Sequence, residues 1–432
     1  MLKWLALLSL VSLNASAAPE ATAPLSGQTF SSAYRAILER SLRIETQRRQ
    51  IDASEARRLA QWGSLAPSLS FEVNQKQAGE SPSVGPLNGA ALTTTVNLFR
   101  SGADLAGIQA ARENLRANRE KLLNERQLVE EDALSALVTF IGRVRARQIN
   151  EKIVQLRAES LRIAKERYDR GLLAMQEVDK VAIDLDNSRA KLIDAQAREA
   201  EGRALLKSAL GHDAIAIEWP WKDSLVKSQD LDKGLFDLER RPDWRQLKAS
   251  VEEQKGRRRQ ALGQLLPSLS FSASLGNSDL ANSGRRDWGT LLTLSVPIFE
   301  GLRDYSNFQV QGLELQVAEY RLEALRRLAP AEVESLKENH RAARESALAR
   351  EKTAKVSERL FSDNQQRFRL GRATVNELAF DQDRLLQSQL LEIEGWLNLH
   401  LTYARLCHGL GGFVVASSEV SLSCEPAEPI VR

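Results

Sequence analysis

Two short stretches alternate apolar and polar residues with a period of two, and they lie 200 positions apart. In residues 68–74, Leu69, Phe71 and Val73 fall on one face while Ser68, Ser70, Glu72 and Asn74 fall on the other, as in a strand with one apolar side. Leu269, Phe271, Ala273 and Leu275 oppose Ser268, Ser270, Ser272 and Ser274 in the same way. Each stretch has a returning partner. Leu92, Thr94, Val96 and Leu98 oppose Thr93, Thr95 and Asn97, and Trp288, Thr290, Leu292, Leu294, Val296 and Ile298 line one side of the other. Four strands are expected, at about 68–77, 90–99, 268–276 and 288–298. The connections at 78–89 and 276–287 are rich in Gly, Ser, Pro and Asn, the composition of loops.

The period then changes to that of a helix. Leu134, Leu137, Val138, Ile141 and Val144, followed by Ile149, Ile153 and Leu156, recur at spacings of three and four. From Gly102 to about Tyr168, and from Gly301 to about Phe368, only Pro330 interrupts such patterning. About 65 helical residues at 1.5 Å each make a rod of roughly 100 Å. The rods are expected to reverse at Gly171 and Gly371, within RYDRGLLAMQEV (167–178) and RFRLGRATVNEL (367–378), because glycine accepts a turn conformation that side chains resist. Helical pattern resumes through Leu210 and Leu410, and a shorter helical stretch at 29–62 stops before Pro67.

The chain is a tandem duplication. Pro67-Ser-Leu-Ser-Phe71 recurs as Pro267-Ser-Leu-Ser-Phe271, and the same offset pairs Arg167, Gly171 and Glu177 with Arg367, Gly371 and Glu377. The divisions expected are a segment 1–17, a first repeat 18–211 with a helical hairpin at about 102–210, a linker 212–240, a second repeat 241–412 with a hairpin at about 301–410, and a tail 413–432. The linker loses the long periodicity and reads as a compact segment packed on the rods. The tail reads as short and partly irregular.

Segment 1–17 has Lys3 before an apolar run and Ala15-Ser16-Ala17 before Ala18, the three regions of a cleavable export signal. No cysteine follows the cleavage site, so an acyl anchor is not expected there. Later stretches are too charged for a membrane helix. Net charge is only +3, with both signs mixed along the helices, which argues against a nucleic-acid partner. Cys407 and Cys424, the only cysteines, form either a disulfide or two free thiols in an oxidising compartment. HExxH, a P-loop lysine, CxxC and a catalytic constellation are missing, so no enzyme and no cofactor are expected. His400, Cys407 and His408 have helical offsets that a metal could use, but structural histidines are the commoner reading.

A strand of about 9–11 residues with one apolar face is the unit of a membrane barrel. Four strands are too few to close one, since about eight is the practical minimum, and an open edge in lipid leaves backbone groups unpaired. Several protomers must then share a barrel, with Leu69, Phe71, Leu269, Phe271, Trp288 and Leu294 facing lipid. The competing reading is a soluble periplasmic coiled-coil scaffold without a pore.

RRPDWRQLKASVEEQKGRRRQALGQLLPSLSFSASLG (240–276), VPIFEG (296–301) and the paired RYDRG and RFRLG turns resemble the TolC family of outer-membrane efflux proteins over essentially all of the chain after the signal. The resemblance implies a mainly α fold with a small β part. It implies long periplasmic hairpins forming an α-barrel, and a homotrimer whose protomers each give four strands to a 12-stranded outer-membrane β-barrel. It further implies a passive exit duct for efflux or type I secretion that docks on a periplasmic adaptor and an inner-membrane transporter. Arg167, Tyr168, Gly171, Arg367, Phe368 and Gly371 would form the docking tips. Glu177, Glu377 and Phe380 would form the entrance constriction. Familiar members carry two acidic residues six and nine positions after the second tip glycine; here those positions hold Glu377 and Phe380. Asn97 also stands where the second repeat has Pro297.

Overall fold

The computed structural model describes residues 28–76, 87–211, 217–218, 231, 236–277, 286–298, 301–416 and 422–426. The expected export signal and most of the linker lie outside them. The duplication recurs in the order of the elements. Strand β1 (Gln28–Thr29) leads into helices α1 (Phe30–Glu39) and α2 (Leu42–Gly63), followed by strands β2 (Ser68–Lys76) and β3 (Leu87–Phe99). The rod α3 (Ala103–Asp169) and the return helix α4 (Met175–Leu210) complete the first copy. After the two-residue strand β4 (Ile217–Glu218), the second copy has α5 (Pro242–Gln264), β5 (Ser268–Asn277), β6 (Arg286–Ser295), α6 (Arg303–Arg369) and α7 (Val375–Gly409). Both rods have 67 residues and begin 200 positions apart. The 29–62 stretch differs from a single helix: the backbone breaks at Arg40-Ser41, where Ser41 is extended and starts α2.

The strands form one antiparallel sheet in the order β2-β3-β5-β6. Its register gathers the apolar side chains on one face. Phe71, Leu92, Leu275 and Trp288 make one cross-strand row, and Val96, Phe271 and Leu292 make another. Ser70, Thr93, Ser274 and Gly289 form a row of the opposite face. Leu98 departs from the period-two expectation. A bulge between Asn97 and Phe99 inserts one residue, so Phe99 and not Leu98 pairs with Leu269 and joins the apolar face. Apolar side chains on that face are largely exposed in the single chain, Trp288 at 77% and Phe71 at 69%.

Each strand-to-rod corner takes two consecutive left-handed residues. Ser101 and Gly102 serve in the first copy, and Gly301 and Leu302 in the second. Below the sheet α2 and α5 flank α3, and α5 also flanks α6; further along, α4 and α7 run back beside α3 and α6. Gly256 and Gly263, seven residues apart on α5, bring its backbone onto Ala110 and Ala103 of α3, where an added Cβ would come within 2.9 and 2.7 Å of theirs.

Midway along the rods α1, α3, α4 and α7 meet the C-terminal segment around Tyr34, Leu134, Leu137, Leu210 and Cys407. The tail is more regular than its sequence suggested: β7 (Gly412–Ala416) and β8 (Leu422–Pro426) pair antiparallel. The alternation is too short to read alone, and what fixes it is long-range. A disulfide joins Cys407 to Cys424. Fully buried Glu130 of α3 accepts a hydrogen bond from Val414 N–H at 2.9 Å and lies 3.3 Å from His408 Nε2. Tyr34 Oη donates to the Val414 carbonyl at 3.1 Å.

His400, buried in α7, lies with Nδ1 2.7 Å from the Trp396 carbonyl. Burial pushes its pKa down to about 4, and the neighbouring His340 acts in the same direction. The unfolded chain therefore binds a proton near pH 6.5 that the fold refuses until about pH 4. This stabilisation is complete above pH 6.5 and is lost as pH falls toward 4, about 3 kcal/mol in all. The midpoint of thermal unfolding should fall between pH 7 and 4.5, and His400→Gln should flatten that dependence. Equal slopes in the two proteins would put the acid sensitivity elsewhere.

Candidate functional site

The ends of the hairpins farthest from the sheet carry the residues singled out by sequence. Each rod ends in the same hydrogen-bonded turn. Gly171 N–H donates to the Tyr168 carbonyl and Leu172 N–H to the Arg167 carbonyl, both at 2.8 Å; Gly371 N–H and Arg372 N–H repeat this to the carbonyls of Phe368 and Arg367 at 3.0 and 2.8 Å. These are helix-ending motifs with a left-handed residue, and φ is 69° at Gly171 and 77° at Gly371.

The two tips pack into one body. Phe368 is fully buried in a cluster with Val178, Val181, Val375, Leu378 and Leu385, while its repeat equivalent Tyr168 is exposed. Arg167 joins the hairpins: its guanidinium carbon stands 5.3 Å from the Phe368 ring centre, and an added Cβ at Gly371 would lie 3.6 Å from its Nη2. Arg367 is exposed on the second tip. Leu172 and Leu370 flank the two glycines and are exposed at 66% and 70%.

The glutamates do not pair with tip arginines. Lys180 Nζ donates to Glu177 Oε1 at 2.7 Å, one turn along α4. Glu377 is built into the start of α7: its carboxylate accepts from Thr374 N–H at 3.0 Å while Thr374 Oγ1 accepts from Glu377 N–H at 3.2 Å, a capping box. Phe380, one turn on, is 60% exposed and has the Arg384 guanidinium carbon 4.5 Å from its ring centre. The proposed constriction therefore carries a lysine-paired carboxylate, a helix-capping carboxylate and an arginine-stacked ring. The metal reading of α7 loses its thiolate, since the Cys407 sulfur is bonded to Cys424.

Sequence reading missed a buried polar junction. Arg157 of α3 is 3% exposed; its Nη1 donates to the Asp184 carbonyl and to Ser188 Oγ of α4, both at 2.7 Å, and its Nη2 to Asp383 Oδ1 of α7 at 2.5 Å. Gln382 Nε2 donates to Ser160 Oγ at 3.0 Å beside it. One buried cation thus ties the first hairpin to the second. A signal existed: Asn150, Ile153, Arg157, Ser160 and Ala164 continue the three-and-four spacing of the buried stripe, and a charge on such a stripe needs partners.

Rods of this length joined to an open antiparallel sheet have known counterparts. Residues 237–412 match the family model described as outer membrane efflux protein. The matched segment is about two fifths of the chain. The match spans the second repeat, of which the first is the structural copy. No curated protein sequence matches the chain. Solved structures share its fold: CusC at a TM-score of 0.77 and 16% identity, covering 90% of this chain and 95% of that one. The Campylobacter jejuni outer membrane channel CmeC follows at 0.75 and 14%, covering 91% and 90%. VceC, an outer membrane protein of Vibrio cholerae, superposes at 0.75 and 16%, covering 89% and 96%. The fold of this chain, long helical hairpins joined to an antiparallel sheet, is thus that of these solved structures. Among the described residues no helix is long and apolar enough to cross a membrane.

Proposed function

We propose that the chain is an outer membrane efflux protein, that three copies close one 12-stranded barrel, and that the helical part continues it as a passive duct toward the inner membrane. The supporting observation is the sheet, with its apolar residues on one face and Ser/Thr on most of the other, and with the outer edges of β2 and β6 unpaired among the described residues. The apolar face, with Leu69, Phe71, Leu269, Phe271, Trp288 and Leu294, meets lipid, and the opposite face meets water. The tips at Arg167, Tyr168, Gly171, Arg367, Phe368 and Gly371 dock a periplasmic adaptor that links the duct to an inner-membrane transporter. Glu177, Glu377 and Phe380 surround the entrance. Against the soluble-scaffold reading, heat-labile trimers should fractionate with the outer membrane; release by osmotic shock would favour the scaffold.

Docking has its own test. Valine at Gly171 or Gly371 must hold a φ near +70°, which costs a β-branched residue of the order of 1–2 kcal/mol and deforms the turn. Export should be lost while trimers still reach the outer membrane. Normal export by both variants would remove the docking role of the tips.

A further inference from the structure

The C-terminal hairpin of β7 and β8 bridges the two repeats. Strand β7 hangs on the first: Gln127 Nε2 of α3 donates to the Gly412 carbonyl at 2.7 Å, Val414 N–H donates to buried Glu130, and Tyr34 Oη of α1 donates to the Val414 carbonyl. Arg126 Nε donates to the other oxygen of Glu130 at 3.0 Å, and its guanidinium carbon stands 4.6 Å from the Phe413 ring centre. Strand β8 hangs on the second repeat. Tyr403 Oη of α7 donates to the Leu422 carbonyl at 3.3 Å, and Cys424 is bonded to Cys407 near the end of α7. The chain reverses around that bond, since an added Cβ at Gly412 would lie 2.5 Å from Cys424 Sγ and 2.9 Å from Cys407 Sγ. Cys407 is fully buried and Cys424 half-buried. Hairpin and disulfide together brace the upper end of α7 against α3.

At the same level the second repeat is built differently. Pro330, inside α6, stands at the repeat position of Glu130, and Arg327, which pairs with Glu323 at 2.8 Å, stands at that of Gln127. Proline has no N–H, so the Arg326 carbonyl four residues back loses its helical donor and α6 can bend there. Beyond Pro330, α6 and α7 form one body. An added Cβ would lie 2.6 Å from Leu336 Cδ1 at Gly409 and 3.2 Å from Ala347 Cα at Gly395, and His340 Nδ1 stands 3.4 Å from Thr402 Oγ1. This body meets the first repeat at two heights: at the brace, where Arg405 Nε also donates to Glu131 Oε1 at 2.6 Å, and nearer the tips at the Arg157 junction. From this we infer that the bond between Cys407 and Cys424 is a redox-set brace: oxidised, it holds the upper end of α7 on α3; reduced, it lets the second hairpin turn at Pro330 away from the first, and the entrance opens. This rests on the duct reading above and adds a control to it. Closing the brace takes two electrons and two protons from the thiols. A disulfide carrier accepts them: one thiolate attacks the carrier's disulfide, the second displaces the carrier from the mixed disulfide, and the carrier leaves as a dithiol. A dithiol reductant runs the same exchange backwards.

Reduction of the assembled full-length protein tests the brace directly, since the chain has no other cysteine. Single channels in planar bilayers should remain open several-fold longer after dithiothreitol is added, and oxidised glutathione in its place should restore the wild-type record. Cys424→Ser should start at the reduced level and ignore dithiothreitol. Hydrogen exchange supplies a readout that needs no current. The bond joins residues 17 apart in sequence. Cross-links over about 15 residues shift a closing equilibrium by of the order of a hundredfold, so on reduction the Val414 amide and those of the last turn of α7 should exchange faster by up to that factor. Equal open times in the two states, with or without faster exchange, would overturn the gate and leave the duct standing. A response to dithiothreitol that persists in Cys424→Ser would overturn it as well. No current in either state would remove the duct, and the gate with it.

Discussion

Phe271→Arg should abolish the outer-membrane trimer, while Ser270→Arg, its immediate neighbour, should assemble normally. The two side chains occupy opposite faces of β5. Phe271 stands between Val96 and Leu292 on the apolar face, and Ser270 between Asn97 and Thr293 on the polar one. Arginine facing lipid near the bilayer midplane costs about 2–4 kcal/mol, and a shared barrel would carry three of them. The same residue facing a water-filled lumen costs little. The measurement is the heat-labile trimer band in outer-membrane fractions. Equal trimer from both variants would mean that the apolar face does not meet lipid.

Much of this architecture is written in period and punctuation. Alternation in 68–74 and 268–275 assigns faces to the strands without reference to the fold, because in a strand parity alone decides the face. Glycines at 171 and 371 mark the rod ends for a local reason, the left-handed turn. What stayed hidden depends on single insertions or on distant partners. One extra residue at Leu98 reverses parity for the end of β3, and nothing in the composition of Asn97-Leu98-Phe99 announces it. The left-handed Ser101 and Leu302 are equally silent, since neither residue type favours that conformation. The tail hairpin is specified by Glu130, Tyr34 and the Cys407–Cys424 bond, which lie far off in sequence or were open to two readings. Glu377 shows the reverse case. The resemblance assigns it to the entrance, while Thr374 three residues before it completes a capping box that local sequence already contained.

Asp383→Ala should open the entrance more than any change at the glutamates. The α7 end of the second hairpin is held to the first by Arg157, and of the three groups that this guanidinium binds only Asp383 belongs to α7. Removing the carboxylate leaves Arg157 bonded to the Asp184 carbonyl and Ser188, so the α3/α4 pair keeps its junction while α7 is left there with the Gln382–Ser160 hydrogen bond. A charge-assisted hydrogen bond of this kind contributes about 1.5–3 kcal/mol, and the half-exposure of Asp383 places the loss at the lower end. Arg157→Ala removes all three bonds and should also loosen α3 from α4, lowering thermal stability where Asp383→Ala scarcely does. In planar bilayers Asp383→Ala should raise single-channel conductance several-fold. Glu177→Gln and Glu377→Gln should leave it close to wild type, since Glu177 is bound to Lys180 and a glutamine can still cap α7. Unchanged conductance in Asp383→Ala, with a rise in Glu377→Gln, would move the restraint from the Arg157 junction to the helix cap beside the tip.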